Sequence, residues 1–494
     1  MCGIVGIVDG KADGALSPLL DILAHRGPDG RGTWGDARHA FGHTRLAIID
    51  LAGGAQPMSD GSGRRHIVFN GEIYNYRQLR RAAGEKSFHT ESDTEAILNL
   101  AGGDEPPETW VRRLDGMFAF ALADGDDCLL ARDPLGIKPL YMGQRDAGMA
   151  FASEIKALAG VSEKVTEFPP GHVYTRKGGL RKFYSIHRGP EDVTDPERAR
   201  VGLLQRLDAA VRKRLIADVP VGVFLSGGLD SSIIAALARR HKKPLDTFCV
   251  GTRDSEDLMR AREAAEFLGT NHHERVYTIE EAIAVLPQVI YHLESFDCAL
   301  VRSAVPNYFL AKLAAEHVKV ALAGEGADEL FAGYEYLKSL SPSLLRQELL
   351  DITQSLHNTN LQRCDRMSMA HGLEVRVPFL DVRLVNYAFR MPIAIKQHGS
   401  RQTEKWILRK AAEALLPRSI AWRKKLKFAA GAGLGDSLSA FAGGKITDRE
   451  FALEMQLPDG TRLRSKEELL YYRIFRGMYP GESLLPLVGR SRSV

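Results

Sequence analysis

Cysteine at position 2, behind only the initiator methionine and ahead of Gly3, places a thiol beside what becomes its own α-amine once Met1 is removed. A primary amine with a pKa near about 8 is a base for that thiol without a separate histidine, because both groups are partly in their reactive forms near neutral pH. Position alone is weak evidence, since cysteine reactivity follows from environment. Four downstream segments supply what a cysteine amide hydrolase needs: His25-Arg26-Gly27-Pro28-Asp29, Gly42-His43-Thr44-Arg45-Leu46, Phe69-Asn70-Gly71-Glu72-Ile73-Tyr74-Asn75 and Ser92-Asp93-Thr94-Glu95. Asn70 and Gly71 can present a side-chain amide and a backbone N–H to a developing oxyanion. Arg45 offers a planar fork to a substrate carboxylate, and Glu72 and Asp93 can hold a substrate ammonium. An isolated Asn-Gly pair reads as a hairpin turn, but the whole set reads as a site. A chain that keeps Met1 would lack the free amine and is expected to be inactive in this hydrolysis.

A second constellation lies at Val223-Phe224-Leu225-Ser226-Gly227-Gly228-Leu229-Asp230-Ser231-Ser232, an apolar strand running into a Ser/Gly turn and then a helix. Backbone N–H groups at the glycines, hydroxyls of Ser226, Ser231 and Ser232, and the positive end of the helix form an anion cradle. No Gly-Lys-Ser/Thr follows, so it is not a Walker A loop. The S-G-G-x-D-S pattern resembles the loop of ATP pyrophosphatases, which cleave ATP between its α and β phosphates. Downstream, Gly324-Glu325-Gly326-Ala327-Asp328-Glu329 again puts glycines and carboxylates directly after an apolar strand, where open α/β sheets bind ligands and where Mg²⁺ would find oxygen donors. The cluster Arg423-Lys424-Lys425-Leu426-Lys427 reads, by itself, as a solvated surface.

The elements that must position these groups differ between the two halves. Strand-like runs at 4–8, 66–69, 117–122 and 128–130, split by Gly, Asp and Asn turn signals, crowd the first part, with helices at 18–24 and 92–100. From about Val201 amphipathic helices alternate with apolar strands at 219–225, 245–250 and 318–323, the pattern of βαβ units around a parallel sheet. The polar stretch 185–198, with Pro190 and Pro196, reads as the linker. The chain has 494 residues, and at roughly 150 per domain this allows about three domains or two large ones. With 44% hydrophobic and 26% charged residues it can bury sizeable cores, and a net charge of +4 gives no sign of a domain built to neutralise nucleic acid. Five scattered cysteines without a C-x-x-C indicate neither a disulfide framework nor a zinc knuckle, and no apolar run of membrane-spanning length or leader pattern is present. A cytoplasmic location follows as the expectation.

Residues 1 to about 185 resemble the class II glutamine amidotransferase domain, an N-terminal-nucleophile hydrolase, and the segments 132–141 and 151–156 match it as scaffold. In order, the motifs of nearly the whole chain resemble the glutamine-hydrolysing asparagine synthetase family, with 366–370 and 374–381 as further matches. The resemblance implies an α+β domain of antiparallel sheets sandwiched by helices over 1–190, then an α/β ATP-pyrophosphatase domain with a parallel sheet over 200–494. It implies Cys2 as nucleophile, Asn70 and Gly71 as oxyanion hole, and Arg45, Asn70, Gly71, Glu72 and Asp93 as glutamine-binding residues. Phe224, Val250, Ala323 and Gly324 would surround adenine and ribose, with Ser226, Gly227, Gly228, Asp230, Ser231 and Ser232 on the pyrophosphate. Asp230 and Asp328 would hold Mg²⁺, Glu325 would assist acyl-adenylate formation, and Lys425 would neutralise the phosphates. The expected partners are glutamine, ATP and a carboxylic-acid acceptor, with homodimerisation open and neither nucleic acid nor membrane involved.

The acceptor is L-aspartate by this resemblance. Where the family reads roughly Thr-Thr-Ile-Arg-Ala-Ser-Thr-Pro, this chain has Ala299-Leu300-Val301-Arg302-Ser303-Ala304-Val305-Pro306. Arg302 is kept, consistent with an acceptor carboxylate, while the lost hydroxyls favour a more apolar acid as the alternative acceptor. The tail beyond about Asp436 matches the family poorly and receives no role. An RNA-modifying pyrophosphatase would share the 226–232 loop but not the first half, and a catalytically dead sensor would have no reason to carry Cys2, the oxyanion pair and the loop together.

Overall fold

A computed structural model of the chain describes residues 2–9, 16–84, 88–145, 148–162, 164–186, 189–400, 402–425 and 428–492. Met1, Leu426 and Lys427, which figure in the sequence reading, lie outside the described residues, as do two positions of the 185–198 stretch.

Two antiparallel sheets fill the first part. One runs across its width as Lys164–Glu167, Tyr141–Arg145, Gly148–Ala152, Gly3–Val8, His39–Arg45 and Gly30–Gly35. The other runs as Gly179–Lys182, His172–Thr175, Asp127–Arg132, Gly116–Asp124, Arg65–Ile73 and Met58–Ser59. Their inner faces meet through Ile4, Phe41 and Phe151 on one side and Val68, Ala119 and Leu130 on the other. The strand Gly3–Val8 is buried along its whole length, so it reads as a continuous apolar run rather than an alternation. The helix Leu16–Ile22 turns Leu19 and Leu20 onto this first sheet, and the helix Asp93–Ala101 packs on the strand Arg65–Ile73 of the second.

The later part is built on a parallel sheet ordered Asn271–Val276, Asp246–Gly251, Val221–Phe224, Val320–Leu322 and Glu374–Arg376. Its three inner strands fall on the apolar runs expected of them. The two edge strands are polar in sequence: Asn-His-His-Glu-Arg-Val sits at a half-exposed edge, and the charges of Glu-Val-Arg are buried because they are paired. Hydrophobicity patterns find strands by what they bury, so neither edge carried a signal. Pro196 opens a helix, Pro196–Arg214, instead of continuing a linker, with the Asp195 carboxylate accepting from the Arg198 N–H at 2.7 Å. Proline suits a first helical position, where its missing N–H has no partner to lose. That helix carries Leu203, Leu207 and Val211 into one apolar core shared by Phe118 and Phe183 of the second sheet and Val221 and Val223 of the parallel sheet.

Beside this shared core runs a buried ionic seam. The Arg26 guanidinium, with no solvent exposure, donates through Nη1 and Nη2 to Asp365 at 2.8 and 3.2 Å, through Nη1 to Glu154 at 2.6 Å, and through Nε to the Cys2 carbonyl at 3.1 Å. Arg366, next along the helix Asn360–Met369, donates to Glu294 at 2.9 Å and to the Ser153 carbonyl at 3.0 Å. Glu294 accepts in turn from the backbone N–H groups of Ile155 and Lys156. Burial pushes the Asp365 carboxyl up, but Arg26 and Lys138 outweigh it and hold it below the usual range. Removing one partner of a buried pair leaves a charge without compensation, which costs about 3 kcal/mol or more. Asp365→Ala is therefore expected to lower the unfolding free energy by about 3 kcal/mol in urea titrations, and a loss below about 0.5 kcal/mol would show that the seam adds no net stability.

Candidate active sites

At the head of the strand Gly3–Val8 the Cys2 backbone nitrogen donates to Asn70 Oδ1 at 3.1 Å, and the thiol lies 4.0 Å from the Leu46 carbonyl. Burial pushes the Cys2 thiol up, so an adjacent base is needed to produce a thiolate. The other end of the same amide, Asn70 Nδ2, is buried without a hydrogen-bond partner. Buried donors are rarely left unpaired, and an orphan N–H beside a nucleophile is what an oxyanion would satisfy. The following residue must be glycine for steric reasons, since a Cβ on Gly71 would lie 2.1 Å from the Met117 carbonyl oxygen of the paired strand.

Arg45, Glu72 and Asp93 are brought to this end of the first half. The Arg45 guanidinium is fixed by the carbonyls of Asp50 at 2.6 Å and Leu51 at 3.0 Å, and so is aimed before any ligand arrives. Asp93 Oδ2 accepts from the Ile73 N–H at 2.8 Å. Burial, helped by the charge of Glu374, pushes the Asp93 carboxyl up to about 7. Glu72 faces Arg376 at 3.2 Å, while Arg376 Nε donates to Glu374 at 2.6 Å. One guanidinium thus serves two carboxylates. Glu374 is held below the usual range, and Glu72 is pushed up by burial and by its carboxylate neighbours, with Oε2 left unpartnered. Two buried acids with raised pKa values and an open oxygen suit a ligand ammonium, which would supply the missing positive charge.

In the second half the strand Val221–Phe224 ends in the Ser/Gly turn, and the helix Leu229–His241 starts from Gly228. Gly227 has φ 66°, and a Cβ there would meet the Arg260 carbonyl group at 2.3 Å. Ser231 Oγ accepts from the Ser226 N–H at 3.2 Å, and Ser226 Oγ accepts from the Gly228 N–H at 3.3 Å. Ser232 Oγ is buried without a partner. Phe224, Val250 and Ala323 are buried at the ends of the three inner strands, and Gly324 packs against Asp230 and Ser231. Asp230 and Asp328 face one another across Lys405, whose Nζ lies 2.6 Å from a carboxylate oxygen of each. Lys425 also pairs with Asp328, and Arg423 reaches the Ser226 carbonyl at 3.3 Å and Asp257 at 3.3 Å. Two residues of the basic cluster thus point into the loop region instead of solvating a surface. Burial pushes Asp328 up, yet Lys405 and Lys425 hold it far below the usual range. Glu325 is clamped by Arg363 Nη2 at 2.5 Å.

Lys405 was invisible in the sequence, because nothing in Glu-Lys-Trp marks a lysine that will reach residues 77 and 175 positions away. It shows that a cation belongs between the two aspartates. Asp230 Oδ1 is buried without a hydrogen-bond partner, and both donors are hard oxygens, so the pair fits Mg²⁺. Among the described residues no group of three His, Cys, Asp or Glu could hold a metal. Two carboxylates completed by phosphate oxygens is the usual way Mg²⁺ is held beside a nucleotide.

Arg302 is not free for an acceptor. Its guanidinium is engaged at both ends by Glu467 of the helix Lys466–Met478, with Nε at 2.8 Å, and Glu467 is buried and also accepts from Tyr471 at 2.7 Å. Arg302, expected to contact the acceptor, is instead taken up by an internal carboxylate, and the tail, to which the sequence assigned no role, supplies it. The argument for an apolar acceptor loses its footing as well: Leu300, Ala304 and Val305 of the helix Cys298–Ala315 are buried in the apolar core, so the lost hydroxyls reflect packing.

Comparison with known proteins gives a consistent result. Residues 1–182 match the family model described as a glutamine amidotransferase domain, and residues 202–347 and 338–484 match the one described as asparagine synthase. The second match extends well past Asp436. The chain is 37% identical to asparagine synthetase B (glutamine-hydrolysing) of Escherichia coli over 530 aligned residues, covering 100% of this chain and 94% of that protein. It is 37% identical to a glutamine-hydrolysing asparagine synthetase of Arabidopsis thaliana, covering 97% and 88% of the two chains, and to one of Zea mays, covering 98% and 87%.

The raised Asp93 carboxyl has a measurable consequence. It must be ionised to hold the ammonium of an amino acid, so with a free pKa of about 7 it is mostly protonated below that pH and binding is weaker there. In a Cys2→Ala background, where no turnover occurs, the Kd for glutamine is expected to fall as pH rises through about 7, and Asp93→Asn to flatten the profile and raise the Kd roughly 10- to 100-fold. A Kd that does not change with pH between about 6 and 8 would contradict the assignment.

Proposed function

The chain belongs to the family of glutamine-hydrolysing asparagine synthetases, and from that premise we propose that it joins ammonia released from glutamine at Cys2 to the side-chain carboxylate of L-aspartate activated by ATP. The observation that carries this reading is one helix, Asn360–Met369, which serves both sites. Its Arg363 clamps Glu325 beside the Ser/Gly loop, and its Asp365 clamps Arg26, which holds the Cys2 carbonyl.

The two sites divide the work by chemistry. With Met1 removed, the α-amine of Cys2 takes the thiol proton, and the thiolate attacks the glutamine side-chain carbonyl. Asn70 Nδ2 and the Gly71 N–H stabilise the oxyanion. Ammonia leaves, and water then hydrolyses the thioester to glutamate. Arg45 holds the α-carboxylate, and Glu72 and Asp93 hold the α-ammonium.

A carboxylate resists attack because oxide would have to leave. At the second site a carboxylate oxygen of aspartate therefore attacks the α-phosphorus of ATP, and pyrophosphate departs. Ammonia attacks the resulting acyl carbon, and AMP leaves with the former carboxylate oxygen. The loop 226–232 cradles the phosphates, while Lys405 and Lys425 supply positive charge that the transition state uses. Asp230 and Asp328 would hold Mg²⁺, which when bound neutralises charge on the phosphates and the leaving pyrophosphate. Glu325, held by Arg363, assists formation of the acyl-adenylate. Ammonia must reach this site unprotonated, which favours transfer through an apolar, water-poor passage inside the protein over release to solvent.

Among the described residues no helix is long and apolar enough to cross a membrane. All five cysteines are free and buried, which fits a reducing cytoplasm. Release of AMP and pyrophosphate is expected to require aspartate, and absence of stimulation would remove the assignment of that acceptor. Cys2→Ala should abolish glutamine-driven synthesis and keep ammonia-driven synthesis, whereas loss of both would contradict two separate sites.

A further inference from the structure

A cleft of about 580 Å³ opens where the first half meets the helices Pro196–Arg214 and Val382–Phe389, apart from both sites described above. That volume falls in the range of small-molecule sites. Its wall is cationic and the carboxylates in it are already used. Lys213 Nζ lies 2.6 Å from Asp115 and also pairs with Asp381, which accepts in addition from Arg214 at 3.0 Å. Arg390 is engaged by Asp192. This leaves Arg206, Arg212 and Arg383 lining the cleft with no carboxylate partner among the described residues. Arg212 and Arg383 are exposed, and the Arg206 guanidinium stacks 3.9 Å over the Tyr387 ring.

Tyr74 lines the same cleft, is 7% exposed, and its buried hydroxyl has no hydrogen-bond partner. Two exposed guanidinium groups without a carboxylate partner, and a third that stacks on Tyr387 and donates to the Gly202 carbonyl at 3.0 Å, line one cleft and fit an anion with several oxygens, since guanidinium forks match phosphate geometry. Tyr74 also connects the cleft to the thiol site. Its ring is flanked by Arg376, 5.7 Å from the centroid, and Arg376 is the residue that faces Glu72 at 3.2 Å. Glu72 lies two residues before Tyr74, near the end of the strand Arg65–Ile73.

We propose that this cleft is an effector site for a small phosphorylated anion, which Arg206, Arg212 and Arg383 hold, and which acts on glutamine binding through the Tyr74 ring at the cleft wall, Arg376 and Glu72. The effect is reciprocal, so glutamine alters the affinity of the anion by the same factor.

Inorganic pyrophosphate is a suitable probe on the full-length enzyme. In calorimetric titrations the variant R212A/R383A is expected to bind one pyrophosphate fewer per chain than the wild type. This readout does not depend on how many the wild type binds or on the reading of the nucleotide site. In a glutaminase assay without ATP or aspartate, pyrophosphate should change the KM for glutamine by at least about threefold in the wild type and leave R212A/R383A unaffected. Equal stoichiometry in the two proteins would overturn the site. An unchanged KM in the wild type, or the same change in both proteins, would overturn its effector role. If the wild type shows no glutaminase activity at all, the reading of Cys2 has failed instead, and the calorimetric comparison still decides the site.

Discussion

A guanidinium group shut away from water must find its charges inside the protein, and Arg26 finds them in both halves of this chain at once. Its Nη1 donates to both Glu154 of the first half and Asp365 of the second, its Nη2 to Asp365 again, and its Nε to the carbonyl of Cys2. Such a group is tolerable only when both halves are docked, because the desolvation of several charges is offset by close mutual pairing alone. The docking therefore also fixes the backbone of Cys2. Arg366 repeats the arrangement one residue along the same helix, with Glu294 and Glu154 as its partners.

The same economy of charge recurs at each site. Arg376, on the edge strand of the parallel sheet, is shared by Glu374 and Glu72, so that a residue of the second half opposes, without overcoming, the burial that pushes up an acid of the first half. Lys405 is shared by Asp230 and Asp328, so that the phosphate end of the second site keeps a cation between its carboxylates. At Glu72 and Glu374 one buried guanidinium faces two acids and leaves Glu72 Oε2 unpartnered, whereas at Asp230 and Asp328 two lysines face two acids and give the loop a cationic neighbourhood suited to phosphates. Folding and binding draw on one set of electrostatic constraints.

How much of this could be read from the sequence depends on the distance over which a group acts. Cys2, Asn70, Gly71 and the 226–232 loop declare themselves locally, through a terminal thiol, a strand ending in a turn, and glycines flanked by hydroxyls. The inner strands of the parallel sheet are likewise local, as apolar runs between helices. Arg376, Lys405 and Glu467 are not, since each acts on a partner far along the chain and sits in a segment whose own pattern is ordinary. The strand Glu374–Arg376 hides because its charged residues are buried, against the rule by which strands are recognised. Arg302 shows the reverse error. It stands where the resemblance places an acceptor contact, but the C-terminal helix supplies Glu467 to it, and no spacing within residues 299–306 could announce that.

The proposed reaction needs two sites that share ammonia inside one protein, whose halves Arg26, Asp365 and Arg366 hold together. The most direct measurement supplies glutamine labelled with nitrogen-15 in its side-chain amide, together with ATP, aspartate and an excess of unlabelled ammonium, and reads the label in the asparagine formed. Internal transfer predicts asparagine that keeps the label of glutamine almost undiluted. Label diluted to the isotopic composition of the bulk ammonium would contradict it, and would mean that the two sites communicate only through solvent.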